Sequence, residues 1–86
     1  MNKFIRLKEL LVGYLDKYGE DGEINYLLNL VDYFINDQIE FDENVFYPVK
    51  EEVMIMSTFH KNEEFLEIVK AFDSLRDCIK SEMRQS

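Results

Sequence analysis

Apolar side chains recur at steps of three and four in three separate stretches of the chain. In the first, Phe4, Leu7, Leu11, Tyr14 or Leu15, and Tyr18 share one helical face. Gly19 then offers a C-terminal stop, so the spacing predicts a helix over about 2–18. The second stretch is the clearest stripe: Ile24, Leu27, Leu28, Val31, Phe34 and Ile35. Asp21 is placed to cap it and Glu23 favours the positive end of its dipole, which predicts a helix over about 22–37. In the third, Phe65, Leu66, Val69, Phe72, Leu75 and Ile79 form the apolar face. Asn62 serves as its cap, Glu63 and Glu64 fill the first turn, and Lys80 and Arg84 stand near the end of a helix over about 62–84.

Between the second and third stripes the period is lost. Residues 38–47 follow no helical or strand repeat, and Pro48 biases Tyr47 toward an extended conformation. The following "VKEEVMIMSTF" places Val49, Val53, Met56 and Phe59 at helical spacing, with Pro48 tolerated in a first turn. Its alternating residues also fit a strand, but such a strand would have no partner elsewhere in the chain, which favours a helix over about 48–59. Four helices with short connections predict an all-α fold, a compact antiparallel four-helix bundle forming a single domain over 1–86.

Composition supports that reading. In 86 residues, 47% hydrophobic and 14% aromatic side chains against three Gly and one Pro can build a small core without disulfide or metal. A lone Cys78 fits a reducing cytoplasm. The N-terminal run "LLVGYL" is too short for a secretory core, and no apolar run approaches the ~20 residues of a membrane span. The net charge of −8 is placed unevenly: residues 19–60 carry ten acidic side chains and one basic one, Lys50, so they hold the whole excess. Such a segment repels nucleic acid and attracts a basic protein.

Residues for chemistry are sparse. His60 and Cys78 stand apart, with no carboxylate pair at ligand spacing, so neither a metal nor a cofactor is expected. Asp77 beside Cys78 opposes thiolate formation. The triplet Asp73–Leu75 matches the attachment motif of acyl carrier proteins, but it falls inside the last helix instead of opening one, so Ser74 reads as a solvent-facing serine. Without an acid, base or metal constellation the chain reads as non-enzymatic.

The stretch "FDENVFYP", Phe41 to Pro48, is the strongest binding candidate: an aromatic cluster ringed by carboxylates has the anatomy of a hot spot. Phe41 can serve instead as a core anchor, and the same holds for Phe46. In order and spacing, Glu43, Val45, Phe46, Tyr47 and Pro48 resemble a segment of the immunity proteins of nuclease colicins and pyocins. That family has a very short third helix carrying an acid, an aliphatic, two tyrosines and a proline. "LLNLVDYF" is similar to the register of its second helix and "FLEIVKAF" to its last, so the resemblance spans roughly residues 10–79. Phe46 departs from the pattern by standing for the first tyrosine, and the apolar segment after Pro48 departs from its loop.

The resemblance implies a cytoplasmic inhibitor that binds a cognate toxin nuclease and blocks nucleic-acid access. It places the shared anchor on Glu43, Phe46 and Tyr47, with Asp42 adding charge. Partner selection would fall on the second helix, at Ile24, Leu28 and Val31, with Asp32 and Ile35 as further candidates. The expected partner is a basic toxin nuclease domain, with no direct nucleic-acid or membrane binding, and the protein alone is expected to be a monomer or weak homodimer. The rival reading is a self-associating structural or regulatory helical protein, of a kind that phages or plasmids carry.

Overall fold

The structure, a computed structural model, describes residues 3–79. Four α-helices follow one another: α1 (Lys3–Tyr18), α2 (Gly22–Ile35), α3 (Glu43–Ser57) and α4 (Glu63–Ser74), and a 3-10 turn over Leu75–Cys78 continues α4. The fold is the expected all-α four-helix bundle. Helix α1 packs on both α2 and α4, and α4 packs on α3, so the order across the bundle is α2, α1, α4, α3. That order makes α2 and α3 the outer pair.

Local chemistry sets most boundaries. Helix α1 ends at Gly19, whose φ of 93° suits a residue without a Cβ and whose N–H donates to the Leu15 carbonyl at 2.8 Å. Asp21 caps α2, its Oδ1 accepting from the N–H groups of Glu23 and Ile24. Helix α2 closes two residues before the expected end, in a Schellman turn: the N–H of Gln38 donates to Tyr33 and that of Asp37 to Phe34. This turn requires a left-handed residue, and Asp37 supplies it at φ 58°. A side chain is strained there, and a carboxylate at a helix C-terminus also opposes the dipole. Asp37→Gly is therefore expected to raise stability by about 1 kcal/mol, read as a higher urea midpoint at unchanged slope.

Helix α3 corrects the sequence reading. It begins at Glu43, not at residue 48, because Asp42 caps it by accepting from the Val45 N–H at 3.2 Å while its carbonyl receives the Phe46 N–H. Tyr47 is thus helical, not extended, and Pro48 lies in the second turn. Helix α4 is shorter than expected. The Ser74 hydroxyl donates back to the Ala71 carbonyl at 2.8 Å and the Lys3 ammonium takes the Ser74 carbonyl at 3.3 Å, two competitors for the helical ladder where the chain tightens into the 3-10 turn. The expected basic residues Lys80 and Arg84 lie outside the described residues.

A single core runs through all four helices. From α1 it takes Leu7, Leu11 and Tyr14; from α2, Ile24, Leu27, Val31 and Phe34; from α3, Phe46, Val49, Val53 and Met56; from α4, Phe65, Ile68 and Phe72. The stripes hold with small rotations. In α4 it is Ile68, not Leu66, that turns inward, and Tyr18 and Phe59 end up exposed. Phe41 is buried from the α2–α3 connection, edge-on to Phe4, Phe34 and Phe46. At the other end of α1, Glu64 accepts from Lys17 and from the Tyr18 hydroxyl. Those two hydrogen bonds, the ammonium's first, lower its carboxyl to a pKa of about 2 and raise both partners. No helix among the described residues is long and apolar enough to cross a membrane.

Candidate functional site

Because α2 and α3 are the outer helices, they touch each other little, and Phe41 bridges them at the end where their connection joins them. There, Phe34, Phe41 and Phe46 close the gap with edge-on ring contacts. At the opposite end the start of α2 and the end of α3 part, leaving an open groove of about 310 Å³ lined by Gly22, Glu23, Tyr26, Glu52, Ile55 and Met56. Tyr26 is 45% exposed and Ile55 59%, so two large apolar surfaces stand between carboxylates. Partial burial in this groove, then the charge and hydrogen bond of Glu52, raise the Tyr26 phenol pKa above its ordinary value. Tyr33, one heptad further along α2, is also exposed.

Several acids of α2, α3 and their connection are uncompensated, Glu52 of the groove among them. Among the described residues no cation pairs with Asp37, Glu40, Glu43, Glu51 or Glu52. The acidic middle of the chain thus leaves unpaired carboxylates at both ends of the α2–α3 pair, while Asp32 is paired with Lys8 and Asp21 and Glu23 face His60. A surface of this kind steers a basic protein, and its exposed aromatic and aliphatic groups supply contact area.

The residues singled out from sequence are scattered by the fold. Ile24, Val31 and Phe46 are 0%, 3% and 1% exposed, so a partner docking on the folded protein cannot reach them. This is a correction, and its cause is the apolar stripe itself, which turns those side chains to the core. Leu28 and Ile35 are half-buried against that core. Asp32 pairs with Lys8 at 2.9 Å, and Asp42 is occupied as the α3 cap. Glu43 and Tyr47 are exposed. Tyr47 turns toward α4, its hydroxyl receiving Arg76 at 2.8 Å with the guanidinium 5.8 Å from its ring centre. The anchor residues therefore do not gather on the groove.

Sequence reasoning missed Tyr26, Glu52 and Ile55 as a set. A signal existed for the first: Tyr26 and Tyr33 fall seven apart, outside the apolar stripe of α2. Nothing in the chain signalled that Ile55 would face them.

One mouth of the groove carries a second arrangement. His60, in the α3–α4 connection, has Nδ1 3.0 Å from the Tyr14 hydroxyl, which also accepts from Asn62 Nδ2 at 2.9 Å. Its Nε2 faces Glu23 Oε1 at 3.3 Å and Asp21 Oδ2 at 3.5 Å. The ring stacks on Phe65 at 5.2 Å. The carboxylate pair at ligand spacing that the sequence lacked around His60 is thus brought to it by the fold.

Fold and groove together define a small helical domain with an acidic, aromatic-lined surface between its outer helices. Compared with family models, curated proteins and solved structures, the chain matches none.

Proposed function

We propose that this protein is a non-enzymatic inhibitor of the immunity class, which neutralises a basic toxin nuclease by covering its surface. The observation that carries the reading is the α2–α3 groove, where exposed Tyr26 and Ile55 lie between Glu23 and Glu52. A nuclease must present positive charge to hold phosphates, and the uncompensated carboxylates complement that charge. The same charge disfavours a second copy, because like surfaces repel. Recognition is centred on the groove, with Glu43 and Tyr47 at the far end of α3 as outlying contacts. The inhibitor acts in the cytoplasm, where the lone Cys78 stays reduced.

The test pairs binding with inhibition. Bacteriocin DNase and RNase domains are assayed for nuclease activity and for affinity to wild type, Glu52→Lys and Tyr26→Ala. One domain should be inhibited, with binding that weakens as salt rises and falls at least tenfold, about 1.4 kcal/mol, in either variant. Light scattering decides the rival: a stable wild-type dimer that Tyr26→Ala dissociates, with no nuclease inhibited, would replace the inhibitor by a self-associating protein.

A further inference from the structure

We propose that Asp21, Glu23 and His60 form a binding site for one divalent transition-metal ion of the zinc type, which joins the start of α2 to the α3–α4 connection. The site offers one imidazole nitrogen and two carboxylate oxygens, all within 4.8 Å of one another.

The distances are compatible with an ion as well as with the direct His60–Glu23 hydrogen bond. A charge-assisted hydrogen bond between imidazole and carboxylate closes to ~2.7–2.9 Å. Here Nε2 stands 3.3 Å from Glu23 and 3.5 Å from Asp21. A tetrahedral ion with bonds of ~2.0–2.2 Å spaces its ligands ~3.3–3.6 Å apart. Both separations from Nε2 fall inside that range, and the two carboxylate oxygens lie within 4.8 Å of each other.

Two of the three ligands are held in advance. Asp21 is fixed through Oδ1, which accepts from the N–H groups of Glu23 and Ile24, while Oδ2 is turned to His60. The His60 ring is fixed by stacking on Phe65 and by its Nδ1 contact with the Tyr14 hydroxyl. With metal on Nε2, Nδ1 carries the ring proton and donates it to the Tyr14 oxygen, the kind of outer support that sets a ligating histidine's tautomer. Tyr14 is itself held by Asn62, the cap of α4. Glu23 is the most exposed of the three ligands, its side chain 50% exposed against 28% for Asp21 and 15% for His60.

Ligand type selects the class of ion. Two carboxylates neutralise a 2+ charge, and the imidazole favours zinc and its first-row neighbours over magnesium or calcium, which take oxygen ligands. The ion would brace the mouth of the groove, because Glu23 also lines it.

Calorimetric titration of the full chain with ZnCl2 tests the site, with thermal melts in ZnCl2 or MgCl2 and the visible spectrum of the Co2+ form. Wild type should bind one zinc ion, melt higher with zinc but not with magnesium, and give the d–d absorption of four-coordinate cobalt. Glu23→Gln, at an exposed position that leaves the core intact, should weaken zinc at least tenfold and alter the cobalt spectrum. His60→Gln should do the same if circular dichroism shows it folded, and Cys78→Ser should bind as wild type does. Absence of stoichiometric zinc binding overturns the proposal, as does equal affinity in Glu23→Gln. Loss of binding in Cys78→Ser moves the metal to the thiol and overturns it equally.

Discussion

Phe46→Ala is expected to cost about 3–5 kcal/mol of unfolding free energy, the largest effect of any single side chain in the Phe41–Pro48 stretch. Phe46 is 1% exposed and forms a parallel stack with Phe72 of α4, 5.1 Å between centres and 2° between planes. It also meets Phe41 and Tyr47 edge-on. Truncation leaves a cavity where α3, α4 and the α2–α3 connection converge, and a rigid ring packed by other rings cannot collapse to fill it. A domain of this length has only ~4–13 kcal/mol in total, so the variant should lose well over ~10 °C in Tm or most of its cooperative transition. Tyr47→Ala gives the contrast. Tyr47 is 44% exposed and loses chiefly its Arg76 contact, so a change within ~1 kcal/mol is expected. Urea unfolding followed by circular dichroism separates the two, and equal losses would refute the placement of the aromatic pair.

Pro48→Ala is expected to act in the opposite direction, raising stability by about 1–3 kcal/mol. Pro48 occupies the second turn of α3, six residues after the Asp42 cap, where it has no N–H to give the Asn44 carbonyl. It also disfavours the helical conformation of Tyr47 that the structure requires. Both Asn44 and Pro48 are exposed, so solvent can serve the orphan carbonyl and the penalty is tolerated. Alanine restores the bond and the propensity at a site with no core contact. A helix that started at residue 48, as the sequence suggested, would hold the proline cheaply in its first turn, and the substitution would then be close to neutral. Equilibrium unfolding in urea thus decides where α3 begins.

These two expectations bear on function. If Phe46 is structural, its place in a recognition surface passes to side chains that water already touches, and the α2–α3 groove offers Tyr26 and Ile55 beside the unpaired Glu52. Removing Phe46 would still impair binding, but through unfolding, whereas Tyr26→Ala should weaken a partner without changing the melt. The proposed function and the stability of the stretch can therefore be measured independently.

The sequence by itself determined the elements and their inward faces. Steps of three and four in Leu7, Leu11 and Tyr14, in Ile24, Leu27, Val31 and Phe34, and in Phe65, Val69, Phe72 and Leu75 follow from helix geometry alone. Asp21 and Asn62 act locally on N–H groups two or three residues ahead, so they too were legible. The start of α3 was not, because the Asp42 cap and the burial of Phe46 against Phe72 outweigh the local preference of Tyr47 and Pro48, and that packing joins residues far apart in the chain. Only the tertiary structure decided which helices are outermost, and with it that Tyr26 faces Glu52 and Ile55 across a groove. It alone set His60 beside Asp21 and Glu23, 37 residues away from the latter. Local periodicity tells a side chain to point inward, but which distant side chain it meets depends on the order in which the helices pack.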